Sequence, residues 1–286
     1  LKPVAHVKLK DVVIFETLDA LSNQIKDENV RLETIDLTKR NPATGPIYVE
    51  NVEPGDTLVV EILDVAPSER GWIRVYPGGG VLHDKLFKPK VKLLHLENET
   101  VKFNNIGMPI KPMIGVLGVA PSEGEFPTIT PSYHGGNMDV ALITKGSKVY
   151  LPVFVEGALL ALGDLHAVQG DGEICSTAVE ISGEVKIRLD VIKGMRPKYP
   201  IVELEDSYSI VTFGHSLDDA LYRASEEVVK SLMRAHGLEF EEAYMLSSLI
   251  VNLRVNQAVN PMRGIRAEIP KKYVKLNDLL NYGQSP

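Results

Sequence analysis

The chain has 286 residues, 44% of them apolar and 24% charged, a composition that builds a large core and excludes disorder as its general state. With 31 Lys and Arg against 38 Asp and Glu the net charge is −7, which argues against nucleic acid as a partner. The one cysteine, Cys175, excludes an intramolecular disulfide and a paired-thiol metal clip.

In chain order the first two-thirds read as β. Residues 12–17 are a short β-branched run, residues 53–56 (Glu-Pro-Gly-Asp) a turn, and residues 57–65 a strong strand. After the turn-rich residues 76–80, the alternating lysines of residues 88–92 suit an exposed strand face. Further strands are expected at 91–96, 101–103, 113–119, 148–154, 173–180 and 183–191, nearly all separated by Pro or Gly. That pattern predicts a sandwich or barrel over residues 1–195.

The pattern changes at residues 193–197, and residues 196–286 read as a smaller α+β portion. Ser216 caps a helix, with Asp219 three residues on, and Leu217, Leu221, Ala224, Val228 and Leu232 make its apolar face before Gly237 stops it. A second helix is expected to turn Leu246, Leu249, Ile250 and Leu253 inward and to end near Asn256. Residues 1–6 hold no signal-like run, and the apolar residues 150–162 are interrupted by Pro152, Glu156 and Gly157, short of the ~20 residues a membrane helix needs. The expectation is a cytoplasmic protein with neither nucleic acid nor membrane as partner.

The chemistry concentrates in residues 163–173, where Asp164, His166, Gln169, Asp171 and Glu173 follow an apolar run. Polar groups so close to core sequence must find partners. On an extended backbone Asp164 and His166 share a face, as do Asp171 and Glu173; a carboxylate and an imidazole at i and i+2 make a natural clip for a divalent ion. A hairpin turn built from Asp and Gly explains the same residue types. A second cluster, residues 133–139, offers His134, Asn137 and Asp139 around a Gly-Gly pair. Mixed imidazole and carboxylate ligands suit zinc and other divalent transition ions, whereas calcium prefers more oxygen. No dinucleotide fingerprint, phosphate loop or G-x-S-x-G elbow is present. Cys175, inside an expected strand, reads as a buried inert thiol.

These motifs taken together resemble the acetamidase/formamidase family: residues 41–49, residues 53–58, residues 114–121, His134-Gly135-Gly136-Asn137-Met138-Asp139, and residues 163–180. The resemblance runs from about the first strand to residues 269–271. It implies a jelly-roll-like β-sandwich with a smaller C-terminal α+β portion, hydrolysis of short amides to a carboxylate and ammonia, and an associated metal ion. A family relative acts on a cyclic amide, so lactam hydrolysis is the alternative of the same class.

On that resemblance His134, Asp139, Asp164 and His166 form the candidate metal shell, with zinc expected and calcium second. Glu173 is the expected proton shuttle and Asp171 its competitor. Asn137 and Gln169 are the expected donors to the substrate amide. A small-molecule amide is the expected partner, and a homo-oligomer the expected state. Two rivals are a metal-free amidase using Cys175 and a non-catalytic sandwich that binds without turnover.

Overall fold

The computed structural model describes residues 1–280. Among them, two sheets of ten and eight strands pack face to face, which is the sandwich the turn-punctuated strands predict. The first sheet is centred on Leu160–His166, flanked by Ala43–Val49, Met113–Gly118 and Glu180–Ile181. Beyond Glu180–Ile181 it continues through Arg70–Val75 and Lys90–Glu97 to Thr100–Phe103 and Ile106–Pro109.

The second sheet is built on Thr57–Pro67, paired antiparallel with both Lys148–Pro152 and Gly183–Ile192. The C-terminal portion joins this sheet directly: Ile201–Glu203 pairs with Lys148–Pro152, and Ser207–Gly214, Arg263–Pro270 and Asn252–Gln257 follow in order.

Alternation divides the side chains between two cores. Leu58, Val60 and Ile62 point between the sheets, where they meet Leu117, Leu160, Leu162 and Leu165. Val59 and Tyr150 point the other way, into a second core with Ile210, Ile265 and the helices. Strands covered on both faces must be apolar on both, which explains the near-continuous hydrophobic run of residues 57–65. Among the described residues no helix is long and apolar enough to cross a membrane.

The long helix Leu217–His236 forms where expected. Ser216 accepts from the Asp219 amide, and Gly237 closes the helix at φ 64. Its inward face is Ala220, Ala224, Val228 and Leu232; Leu221 is turned to solvent.

Two expectations fail here for identifiable reasons. The second helix, Phe240–Ile250, ends before Leu253, because residues 252–257 pair as a strand with Arg263–Pro270; Leu249 and Leu253 are both exposed. Residues 173–179 are not a strand either. Gly172 and Glu173 both take positive φ, and the segment turns until Glu180–Ile181. Cys175 consequently lies half-buried in a turn, where its Sγ donates to the Thr177 carbonyl at 3.3 Å.

Leu165 lies between the site residues Asp164 and His166 and points into the inter-sheet core, fully buried. Leu165→Ala should therefore cost about 2–5 kcal/mol of stability. Urea unfolding is expected to show a lower midpoint with an unchanged slope.

Candidate metal and catalytic site

The central strand delivers Asp164 and His166 to one place, and strand register supplies the next residue. His166 stands directly opposite Glu180 across the antiparallel pair, so the two side chains meet. Asp139 follows the short strand Gly135–Asn137, which pairs with Met113–Gly118 beside the central strand. Glu173 comes from the turn after it.

The ligand atoms fall into two groups that share one imidazole, Asp164–His166–Glu180 and Asp139–His166–Glu173, with the atoms of each group within 4.8 Å of one another. All five residues are buried.

Neutral amides hold this array in place. Gln169 Nε2 donates to the Asp139 carbonyl at 2.8 Å, which turns Gln169 Oε1 to His166 Nδ1 at 2.7 Å. Nδ1 must then carry the proton, leaving the lone pair on Nε2. Nε2 faces Glu180 Oε2 at 3.1 Å and Asp164 Oδ1 at 3.6 Å. None of these three buried atoms has a hydrogen-bond partner. A lone pair aimed at two carboxylate oxygens is repulsive unless a cation or a proton lies between them, so the donor set fits a divalent ion.

On the outer side of the carboxylates, Asn41 Nδ2 donates to Asp164 Oδ2 at 2.7 Å and Asn260 Nδ2 to Asp139 Oδ2 at 2.6 Å. With its amide nitrogen turned toward the acids, as the hydrogen-bond network assigns it, Asn137 donates to Asp139 Oδ1 at 3.0 Å and Asp164 Oδ2 at 3.1 Å.

Burial dominates the titration of these groups. It pushes Asp139 up to about 7, with Asp164 and Glu180 adding to the rise. Burial, then the neighbouring Asp139, holds Glu173 well above the ordinary carboxylate range, and Glu180 is raised by burial as well. For His166 burial opposes the charge, but Glu180 and Asp164 outweigh it and hold the imidazole well above its usual value; the second proton this favours, on Nε2, is the one a divalent ion would displace.

The structure thus brings Asp139, Asp164, His166 and Glu173 together, with Asn137 and Gln169 bonded to them, and sets His134 and Asp171 apart. His134 is in neither ligand group. Its ring packs on Phe126 at 4.7 Å and lines a cavity that none of the ligand-group residues reaches. Asp171 does not share a face with Glu173, because Gly172 at φ +100 breaks the extended run. Its carboxylate is instead held at both oxygens by Arg266, at 2.9 and 2.7 Å. Asn137 and Gln169 spend their amides on the acids, on His166 and on the backbone of residue 139 rather than facing outward.

Glu180, Asn41, Asn260 and Arg266 complete the arrangement, and none of them was among the expected metal ligands or amide donors. Asn41 heads the motif at residues 41–49, and Asn260 lies just past the expected end of the second helix near Asn256. Glu180 closed an expected strand, and its register opposite His166 is what brings it into the site.

Gly115 makes the approach of the carboxylates possible. A Cβ there would lie 2.7 Å from Asp139 Oδ1 and 2.8 Å from the Asp164 carbonyl. Gly115→Ala should displace Asp139 and lower divalent-ion affinity by about tenfold or more, read by metal titration of the folded variant.

His134 supplies a separate pH signal. Burial lowers its pKa to about 4, whereas the unfolded chain titrates near ~6.5. The unfolded state therefore binds more protons between these values, and stability falls as pH drops through that window, by at most about 3 kcal/mol. His134→Phe should flatten the acid limb of the stability–pH curve between pH ~6.5 and ~4, measured by denaturation at each pH.

The model of the acetamidase/formamidase family matches residues 1–127 and 123–272. The crystal structure of an acetamidase from Bacillus halodurans, 40% identical, superposes with a TM-score of 0.93 over 96% of this chain and 93% of that one. An acetamidase from Yersinia enterocolitica, 34% identical, superposes with a TM-score of 0.89 over 95% of this chain and 86% of that one. A formamidase of Methylophilus methylotrophus is 31% identical over 260 residues, covering 69% of this chain and 63% of its own length. The chain spans 57–63% of the length of the curated relatives it matches. The motif resemblance, the sandwich and these matches agree, and the chain belongs to the acetamidase/formamidase family.

Proposed function

We propose that the protein hydrolyses short amides to carboxylate and ammonia with the help of a divalent ion, zinc in the first instance, held by Asp164, His166 and Glu180. The observation that carries this reading is the convergence of three buried, partnerless atoms, Asp164 Oδ1, His166 Nε2 and Glu180 Oε2. A divalent ion bound there supplies positive charge that polarises an amide carbonyl and makes water more acidic. The mixed imidazole and carboxylate donors favour zinc over calcium, which takes about six to eight oxygens.

The remaining steps belong to the chain's own side chains. In hydrolysis a C–O bond forms to water, the C–N bond breaks, and one proton moves from the water oxygen to the leaving nitrogen. Glu173 carries that proton: burial and Asp139 raise its proton affinity, and it faces an open pocket at the edge of the site. Asp139 stands beside it, its carboxylate fixed by Asn260 and Asn137. Gln169 keeps the His166 lone pair on Nε2 by accepting from Nδ1. Asp171, neutralised by Arg266, anchors the turn that presents Glu173. Cys175 has no part in these steps.

Metal analysis and ammonia release test the proposal together. The purified protein should hold a divalent ion, and His166→Ala and Glu180→Gln should each lose it while keeping the β-rich circular dichroism. Glu173→Gln should keep the ion and lower kcat by about a hundredfold. Full ion retention in both ligand variants would remove these residues from the metal's coordination.

A further inference from the structure

We propose that the apolar pocket beside Glu173 receives the acyl chain of the substrate, so that among short primary amides butanamide and hexanamide are preferred over formamide and acetamide. The inference deepens the amidase reading and rests on it.

The pocket has a volume of about 320 Å³ and is open to solvent. Gln169 and Glu173 belong to its lining, so it is continuous with the candidate site. Its walls are Ile73, Leu94, Phe103, Met108 and Val179. Leu94 and Val179 are core residues, 1% and 4% exposed, so the inner wall is fixed by packing. Phe103 forms the outer wall, with Lys92 Nζ 5.2 Å from its ring centroid. Asp171 also lines the pocket, but Arg266 neutralises it. The cavity that His134 lines shares none of the ligand-group residues.

Size and chemistry select the occupant. Pockets for drug-sized ligands begin at about 300 Å³, far more than a one- or two-carbon acyl group fills. The apolar walls match a hydrocarbon chain, and Glu173 and Gln169, which line the pocket, also belong to the ionisable cluster or bond to it. A primary amide with its carbonyl carbon at the ionisable cluster therefore directs its alkyl chain into this pocket.

Binding of methyl ketones to the zinc-loaded full chain, measured by calorimetry, tests the pocket without turnover. Acetone, 2-pentanone and 2-heptanone carry the acyl chains of acetamide, butanamide and hexanamide and cannot be hydrolysed. Affinity should rise about fourfold per added methylene, the equivalent of about 0.8 kcal/mol per buried CH₂. Met108→Trp, which fills the pocket, should erase the gain. Phe103→Ala, at a ring 37% exposed, is the second variant and should reduce 2-heptanone affinity several-fold. Cys175 also lines the pocket and is the chain's one thiol, so 2-heptanone but not acetone should slow its alkylation by N-ethylmaleimide.

Affinity independent of chain length, or a gain that survives both variants, overturns the proposal. Faster turnover of N-butylacetamide than of hexanamide also overturns it, by moving the pocket to the leaving-amine side. Ammonia release from the amide series decides the amidase reading separately. A chain-length gain in ketone binding with no ammonia from any amide overturns hydrolysis while keeping the pocket as a site for apolar carbonyl compounds.

Discussion

Four carboxyl groups crowd one imidazole in a space from which water is largely excluded. Burying one unpaired ion is costly, and burying several of the same sign is costlier still. The chain answers with neutral donors: the amides of Asn41, Asn137 and Asn260 take the outer lone pairs of Asp164 and Asp139, and Gln169 takes the His166 proton. Arg266 is engaged one layer out, with Asp171. Amides quench part of the repulsion without cancelling the negative potential, which leaves the centre attractive to a small cation and to little else.

The sandwich makes such crowding possible because three neighbouring strands meet there. Glycine at 115 lets two carboxylates pass close to the backbone of its strand, and the antiparallel register puts His166 face to face with Glu180. On the other side of the same strand, Leu165 ties the site to the inter-sheet core. Packing and site geometry are therefore one problem here, since the strand that fills the core with Leu160, Leu162 and Leu165 also carries Asp164, at φ 57, and His166 to the acids.

Much of this was legible along the chain wherever the relevant spacing is short. Period-two alternation revealed the strands, the Ser216 cap and Gly237 bracketed the long helix, and the i, i+2 pair of Asp164 and His166 met as expected. Residue type groups His134 with Asp139, but positive φ at Gly135 and Gly136 removes any facing that spacing could give across that segment. Residues 171–173 misled because the pairing of carboxylates assumed an extended backbone that Gly172 interrupts. Leu253 fitted a helical repeat, yet a ladder with Arg263–Pro270 satisfied more backbone groups and claimed it for a strand. Asn41, Asn260 and Arg266 lie about a hundred residues from the groups they hold, a distance at which spacing carries no signal.

The turn that carries Glu173 is fastened to the C-terminal portion by backbone as well as by the Asp171–Arg266 pair. The Gly172 amide donates to the Asn256 carbonyl at 2.9 Å, and the Ala258 amide to the Gly172 carbonyl at 3.1 Å. Asn260, from the same stretch, holds Asp139. On the ribosome, where a chain emerges N-terminus first, the two sheets can begin to associate while these fasteners are still unmade. Residues 252–266 must emerge before the turn locks and Asp139 gains its amide partner. The order of synthesis thus makes assembly of the ionisable centre a late event, so that a half-made chain holds the acids without the geometry that gathers them.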